Sequence, residues 1–251
     1  MTDIILNHKS IRKYKDDPVP QPLLTGILTA ASRASTTGNM QVYSIVVTTD
    51  KTIKEKLWEA HFKQNMVLKA PVILTFCADF NRFNKWCRQR KAVPGYDNFL
   101  SFFTAAIDAL LAAQNAAVAA EAQGLGICYL GTTTYNADLI IDILELPSGV
   151  VPVTTLTIGY PEETPELTDR LPLYGIVHAE KYRDYTPEEL DRIYREKDTS
   201  PLTLKLLKEN NLETLAQIFT QKRYTKKDNE LFSGKLLDVI SKQGFGGSER
   251  R

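Results

Sequence analysis

Apolar and polar positions alternate with helical or strand periods along the first third of the chain. Residues 21–34 place their leucines, isoleucine and alanines on one face with a proline in the first turn, which predicts an amphipathic helix. Residues 43–49 are rich in β-branched side chains and predict a strand. Residues 51–62 return to the helical period, and the nearly all-apolar residues 71–79 predict a strand buried on both faces.

The longest helical pattern covers residues 101–126. It is apolar or small on most faces, with ten alanines between Ala105 and Ala122, and Gly124 and Gly126 can end it. This composition predicts a helix that is buried all round. A single chain could enclose such a helix, but a dimer interface would enclose it more easily.

The remaining pattern completes a small sheet and adds a tail. Residues 127–131 and 151–161 predict two more strands, and residues 136–147 predict an Asn-capped helix that ends before a proline. The alternation of helices and strands indicates an α/β or α+β fold. Because the chain becomes more charged after about residue 180, we predict a core over residues 1–180 and a helical C-terminal extension over residues 181–251, which wraps the core or covers the site.

Composition excludes several functions. The chain has 251 residues, 43% of them hydrophobic, and carries 31 Lys and Arg against 30 Asp and Glu. This balance argues against a nucleic-acid-binding protein. We see no signal peptide and no stretch of about 18 apolar residues that could span a membrane. Three widely spaced cysteines form neither a disulfide framework nor a zinc pattern, which favours free thiols in a reducing cytoplasm.

A basic cluster near the start of the chain is the first candidate for chemistry. His8, Lys9, Ser10 and Arg12 follow one another closely. The planar guanidinium of Arg12 suits a phosphate or a pair of carbonyls, with Ser10 and backbone N–H groups as further donors. Because the whole chain is nearly neutral, we expect this local cluster to bind a small anion; the alternative is a solvated basic turn.

Three further segments could contact a ligand. Residues 34–41 are rich in hydrogen-bonding side chains, but they could be an ordinary polar connection. Residues 124–133 lack the dinucleotide fingerprint, although Gly131 could let a flat ring approach the backbone; the alternative is a strand end without a ligand. Residues 159–174 form a proline-rich loop whose one cation, Arg170, could bind a specific partner or form a surface salt bridge.

No other catalytic set stands out in the sequence. The three histidines are far apart, and no serine lies in a G-x-S-x-G motif. Cys87 has cationic neighbours of the kind that can activate a thiol, but a structural cysteine is favoured.

Together these segments resemble the FMN-dependent nitroreductase superfamily, and most of all its group of NADPH nitroreductases and flavin reductase P. The resemblance rests on HKSIRKY, ASTTGNMQVYSIVV, FCADFNR, GLGICYLG, the RLP of the proline-rich loop and a late SKQG. It covers residues 5–175 and continues more weakly to residue 244.

The resemblance implies an α+β fold of the nitroreductase type, with a small mixed β-sheet flanked by helices, in an intertwined homodimer with a helical C-terminal extension. Each of two sites at the dimer interface would hold one FMN. A hydride would pass from NAD(P)H through flavin N5 to nitroaromatic, quinone or flavin acceptors in ping-pong fashion, with no protein acid or base. We therefore expect a cytoplasmic enzyme with small-molecule partners, and neither nucleic acid nor membrane.

The resemblance also assigns residues to the cofactor. The family's FMN contacts fall on His8, Lys9, Ser10, Arg12, Thr36, Gln64, Tyr129, Leu130, Gly131 and Arg170. Arg12 would lie near the electron-rich end of the ring, where a positive group stabilises the anionic reduced flavin. Thr168 departs from the family's Lys-x-Arg pattern, so one of the two cationic side chains that would bind the FMN phosphate is missing. Lys9 stands where the family often has arginine.

The donor NADPH, rather than NADH, is favoured by a basic run in the tail. The cations Lys222, Arg223, Lys226 and Lys227 could contact its 2′-phosphate, or they could be a solvated helix end. A family arginine is replaced near Ser233. These departures leave two alternatives open: a flavin reductase that supplies free reduced FMN, and a flavin-binding or redox-sensing protein with little turnover.

Overall fold

The computed structural model describes residues 2–247. The strands are β1 (Tyr43–Thr48), β2 (Val72–Asp79), β3 (Gly126–Leu130) and β4 (Val150–Gly159). The α-helices are α1 (Thr2–Leu6), α2 (Gln21–Ser32), α3 (Lys51–Ala60), α4 (Asn65–Lys69), α5 (Asn81–Gln89), α6 (Phe99–Ala122), α7 (Ala137–Ile143), α8 (Pro187–Thr199), α9 (Pro201–Asn210), α10 (Leu215–Ile218) and α11 (Lys226–Ile240). Each helix and strand predicted in the first 161 residues is confirmed, while α1, α4 and α5 are additional.

The four strands form one sheet in the order β1-β2-β4-β3. The central strands β2 and β4 are buried on both faces almost throughout, as their apolar composition predicts. All strand pairs within residues 2–247 are antiparallel. The predicted mixed sheet is therefore corrected: the parallel pairing is limited to an isolated bridge between Ser10 and Ile127 at the outer edge of β3.

Helices cover both faces of the sheet. On one face, α2 and the alanine face of α6 pack against β2 and β4 through residues such as Ile27, Ala113 and Leu156. On the other face, α3, α4 and α7 contribute Leu57, Val67 and Ile140. The small alanine side chains let α6 lie close to the strands, which confirms the α+β fold as three packed layers.

Asn136 precedes α7 as predicted, but its side chain does not cap that helix. Its Nδ2 donates instead to the carbonyl of Ala60 at 2.7 Å, and its Oδ1 accepts from Lys235 Nζ at 3.3 Å. The Asn136 side chain therefore joins the start of α7 to the end of α3.

Gly124 ends α6 in a left-handed conformation with φ +77°. The N–H groups of Gly124 and Leu125 donate to the carbonyls of Glu121 and Ala120, which is the Schellman pattern. The sequence suggested that Gly126 also helps to end the helix, but it does not. It begins β3, because the next residues pair with β4.

The prediction that α6 is buried all round is wrong for a single chain. Its alanine face covers the sheet, but the opposite face exposes the large apolar side chains of Phe99, Leu100, Phe103, Ile107, Leu110 and Leu111. One chain covers only one side of this helix, since the sheet lies on that side alone. These residues are called the α6 stripe below.

By length and composition, α6 could also cross a membrane, which corrects the expectation that no stretch could. A helix in a protein core meets the same criteria. The carboxylate of Asp108 is fully buried in the middle of α6 and accepts from the backbone N–H of Thr37 at 2.9 Å. With its alanine face packed on the sheet, α6 is a core helix of this fold.

The chain divides into two compact units, residues 1–166 with 232–251 and residues 167–231. The first unit contains the sheet and α1–α7. The second contains α8, α9 and α10, and α8 begins with a capping box between Thr186 and Glu189. The division at residue 180 that the composition suggested stays a prediction.

Candidate functional site

The N-terminal loop is attached to the outer edge of β3. The N–H of Ile11 donates to the carbonyl of Ile127 at 2.8 Å, next to the Ser10 bridge. The buried phenol of Tyr14 donates to the carbonyl of Ile11 at 2.7 Å. Burial raises the pKa of Tyr14, so this phenol stays a neutral donor. These bonds fix the basic cluster beside the first residues of β3.

Gly126 allows this close attachment. A Cβ added there would lie 2.6 Å from a side-chain carbon of Ile11, which is well inside van der Waals contact. Only glycine therefore fits the first position of β3 while Ile11 stays in place.

The cations of the loop face different surroundings. His8 Nδ1 lies 2.7 Å from a carboxylate oxygen of Glu121 near the end of α6. Lys9 is half-buried, while Arg12 is exposed. The backbone N–H groups of Arg12 and Lys13 both donate to Glu163 Oε1, at 2.6 and 3.1 Å. They are therefore not the free donors that the sequence suggested, because a distant carboxylate already occupies them.

A cavity of about 760 Å³ opens beside the loop. Its lining includes Arg12 and Tyr14 of the loop, Asn65 and Met66 of α4, and Glu163. Binding pockets for cofactors and other small molecules have volumes of this order. The cavity therefore links the basic loop with the segment that follows Gln64.

The backbone at the end of β3 faces open space. The side chain of Leu130 is buried, and the hydroxyl of Tyr129 donates to Gln114 at 3.3 Å. A Cβ added to Gly131 would meet no atom within 4 Å. Gly131 is exposed, so its backbone is available to a flat ligand, whereas the carbonyl of Leu130 already accepts from Thr133 Oγ1 at 2.8 Å.

Gln64 reaches the turn that follows Gly131. Its Nε2 donates to the carbonyl of His61 at 3.1 Å and to Thr132 Oγ1 at 3.2 Å. His61 Nδ1 lies 2.8 Å from the same Thr132 oxygen. These three side chains form the His61 cluster, which lies directly beside the open backbone of Gly131.

The turn that carries Gln64 is strained. Phe62 and Lys63 are consecutive residues with φ +53° and +57°, a conformation that costs non-glycine residues about 1–2 kcal/mol each. Hydrogen bonds from their N–H groups to the carbonyls of Glu59 and Trp58 hold the turn. Such strain concentrates at functional sites, which supports a site here.

Thr36 does not join the other predicted residues within one chain. Its loop precedes β1, where the N–H groups of Thr37 and Val42 donate to the buried carboxylate of Asp108. β1 and β3 form opposite edges of the sheet, which three strand spacings separate by about 14 Å. The strand order thus separates Thr36 from Gly131.

Arg170 belongs to the second unit and interacts with its own loop. Its Nη1 donates to Thr168 Oγ1 at 2.6 Å and to the carbonyl of Asp169 at 2.9 Å. The neighbouring Asp169 pairs with Lys197 at 2.5 Å. The surface salt bridge considered for this loop is thus made by Asp169.

The basic run of the tail is exposed. The cations Lys222 and Arg223 end a π-helical turn, and Lys226 and Lys227 begin α11. In the described chain, one of the four makes an ion pair, Lys226 with Glu230 at 3.7 Å. Their role toward NADPH stays a prediction.

The cysteines are structural. Cys77, Cys87 and Cys128 are free and buried. Burial raises the pKa of the Cys77 thiol to about 12 and also raises that of Cys128. Among residues 2–247, no group of three or more His, Cys, Asp or Glu side chains could hold a metal ion.

His61, Thr132 and Glu163 are the contacts that the sequence did not indicate. Glu163 meets Arg12 across about 150 positions of the chain, and His61 meets Thr132 across about 70. No short motif marks either pair. For Thr132, the one available signal is its place directly after Gly131.

Comparisons with known proteins match the part of the chain that contains these segments. The family model described as "Nitroreductase family" matches residues 5–160. An "Oxygen-insensitive NADPH nitroreductase" of Salmonella typhimurium is 32% identical over 190 residues, which cover 76% of this chain and 78% of that protein. An "FMN reductase (NADPH)" of Bacillus subtilis is 32% identical over 188 residues, covering 74% and 76%. A crystal structure from Bacteroides fragilis is 54% identical, with a TM-score of 0.96 and coverage of 97% and 99%.

Proposed function

Because the chain belongs to the nitroreductase family, we propose that it is an FMN-dependent NAD(P)H oxidoreductase that reduces nitroaromatic, quinone or flavin acceptors. The family membership expected from the sequence segments is confirmed. Relatives named NADPH nitroreductase and FMN reductase support both the cofactor and the electron donor.

Three features along β3 and in the turn after it are the observation on which the proposal rests. The basic loop bonds to the edge of β3, the backbone of Gly131 faces open space, and Gln64 reaches the next turn. A cation cluster, an open backbone and an amide suit a ligand with a phosphate, a flat ring and many polar atoms.

These residues fit FMN. Lys9, Ser10 and Arg12 would hold its anionic and carbonyl groups, and the backbone at Gly131 would contact the ring. His8 and Tyr129 would support this site from either side, since each is already bonded to α6. When bound, FMN takes a hydride from the nicotinamide and passes two electrons to the acceptor.

The protein's part is binding, orientation and electrostatics. The guanidinium of Arg12 would stabilise negative charge that develops near it. The neutral phenol of Tyr14 keeps the loop in place without adding a charge. We assign no acid or base to the protein.

We further propose a homodimer. The α6 stripe is a contiguous apolar surface of the kind that marks protein interfaces. Thr36 lies across the sheet from Gly131, so a second copy could supply Thr36 to the site. Arg170 of the proline-rich loop would contact the FMN phosphate. The basic run from Lys222 to Lys227, in a helical extension over residues 181–251, would contact the 2′-phosphate of NADPH. Free thiols favour the cytoplasm.

A flavin reductase that releases reduced FMN is the second candidate. Thr168 stands in place of a phosphate lysine, and its hydroxyl accepts from Arg170. One missing cation would weaken the hold on the phosphate and favour exchange of FMN. Retention of FMN during gel filtration would distinguish the two candidates.

The absorption spectrum of the purified protein tests the proposal. We expect the visible bands of oxidised flavin, and we expect NADPH to bleach them more readily than NADH in the absence of oxygen. Arg12→Gln should weaken FMN binding about 10-fold or more, because a charged hydrogen bond is lost. The exposed Arg33, which follows α2, provides the control Arg33→Gln.

Two results would contradict the proposal. One is a colourless wild-type protein that neither binds added FMN nor bleaches, which would favour a protein without flavin chemistry. The other is equal FMN affinity of the Arg12→Gln and wild-type proteins, which would place the cofactor elsewhere.

A further inference from the structure

A buried histidine lies beside the candidate site without a role in the chemistry described so far. His61 follows the last turn of α3 and is completely buried. Its Nδ1 lies 2.8 Å from Thr132 Oγ1, whereas its Nε2 is buried without a hydrogen-bond partner among the described residues. A buried polar atom without a partner is costly and calls for an explanation.

The hydrogen bonds of the cluster assign the tautomer of His61. A proton on Nε2 would leave a buried N–H without an acceptor, and such orphaned donors are rare in proteins. A proton on Nδ1 instead donates to Thr132 Oγ1. His61 is therefore a neutral imidazole that donates through Nδ1.

Thr132 then accepts two hydrogen bonds. His61 Nδ1–H donates at 2.8 Å and the amide of Gln64 donates at 3.2 Å. A hydroxyl has two acceptor positions and one proton, so both acceptor positions are filled. Within the described chain, no further acceptor lies within hydrogen-bond distance of this hydroxyl. Its proton is left for a group outside the protein.

The position of Thr132 indicates what that group is. Thr132 directly follows Gly131, whose backbone faces open space, and it is only partly buried. A ligand bound over Gly131 would therefore lie next to this hydroxyl. The oxidised flavin ring presents ring nitrogens and carbonyl oxygens, which are acceptors.

We propose that His61 is a positioning residue, which together with Gln64 holds Thr132 so that the Thr132 hydroxyl donates to the FMN ring. This inference rests on the proposed function, because it requires FMN at Gly131. Burial also lowers the pKa of His61 to about 4, which keeps the imidazole neutral. His61 itself touches neither the cofactor nor the substrate.

The test measures FMN affinity of the apoprotein by quenching of flavin fluorescence, together with the absorption spectrum of bound FMN. Thr132→Val removes the hydroxyl at nearly constant size and should weaken FMN about 5- to 10-fold. His61→Leu should weaken FMN to a similar extent. In the presence of Thr132→Val, His61→Leu should have no further effect, because its influence passes through that hydroxyl. Both single variants should shift the visible absorption bands in the same direction.

Two amide variants keep the test decisive if His61→Leu folds poorly. Asparagine can place an N–H donor where Nδ1 lies, so His61→Asn should restore FMN affinity to within about 3-fold of wild type. Glutamine places its donor near Nε2, so His61→Gln should not restore it. Thr134→Val, in the same turn but outside the cluster, should leave the affinity unchanged. Thermal unfolding of each apoprotein checks the fold.

The outcomes separate the inference from the function on which it rests. A wild-type protein that does not bind FMN overturns the proposed function itself. A wild-type protein that binds FMN, with equal and additive losses from His61→Leu and Thr132→Val, overturns the inference alone. The same conclusion follows if His61→Asn and His61→Gln bind FMN equally well.

Discussion

His61 shows how burial sets the chemistry of a single side chain. Among residues 2–247, the imidazole has one hydrogen-bond partner, Thr132, and no carboxylate pairs with it. Desolvation lowers the pKa of His61, because a buried cation loses its hydration without gaining a counter-charge. The same cause keeps the thiol of Cys77 protonated. Burial thus keeps both of these side chains uncharged.

The lowered pKa of His61 predicts a loss of stability in acid. The pKa is about 4 in the folded protein against 6.5 in the unfolded chain. Between these values the unfolded state binds more protons, so the free energy of unfolding falls as the pH falls from 6.5 to 4. The loss attributable to His61 is about 3 kcal/mol, and its stabilising contribution is complete above pH 6.5.

Urea unfolding at several pH values measures this effect. Other groups also titrate in this range, so the comparison is between the wild type and His61→Asn, which cannot be protonated there. The wild type should lose more stability than His61→Asn on acidification from pH 6.5 to 4. Parallel losses in the two proteins would show that His61 titrates normally.

At the scale of elements, the attachment of the N-terminal loop to β3 depends on one glycine. Three side-chain carbons of Ile11 lie within 3.0 Å of the position of a Cβ on Gly126. The branched Ile11 cannot move aside without breaking its backbone bond to Ile127. The position of the basic cluster is therefore coupled to the first residue of β3.

Gly126→Ala should destabilise the protein by about 2–3 kcal/mol, as overpacking does, and should weaken FMN binding by displacing Arg12. Gly26→Ala is the matched control, because a Cβ at Gly26 in α2 would meet no atom within 4 Å. That change should raise stability by about 0.5–1 kcal/mol through helix propensity. Urea unfolding measures both, and equal stability of the two variants would contradict the close contact at Gly126.

At the scale of the whole molecule, the α6 stripe sets the expected assembly. A single chain leaves the stripe uncovered while the other face of α6 packs on the sheet. Exposed apolar surface of this extent favours association. A two-fold dimer would cover two stripes at once, because each copy presents the same surface.

Leu110→Glu should convert the dimer to a monomer, since it places a charge within the stripe, and it should also lower FMN affinity. Leu204→Glu changes an exposed leucine of α9 outside the stripe and should leave the dimer intact. Sedimentation velocity at micromolar concentration measures the mass. A wild-type protein that sediments as a monomer, or a dimeric Leu110→Glu variant, would rule out the stripe as the interface.

The sequence by itself determined α2, α3, α6 and α7, the four strands and the family. The spacing of apolar side chains in residues 21–34 and 71–79 reflects bonding and burial within single elements. The local pattern was therefore sufficient to predict this helix and this strand. Short segments such as GLGICYLG determined the family resemblance because they lie together in sequence. The end of α6 at Gly124 was also predictable, since a left-handed residue there favours glycine.

The tertiary structure alone decided which residues meet. The bond of Glu163 to the loop N–H groups, the contact of Ile11 with Gly126 and the His61 cluster each join distant segments. The exposure of one face of α6 likewise depended on how much surface the sheet could cover. No local period encodes such contacts, because the free energy of burial and of hydrogen bonding depends on the partner that folding brings near.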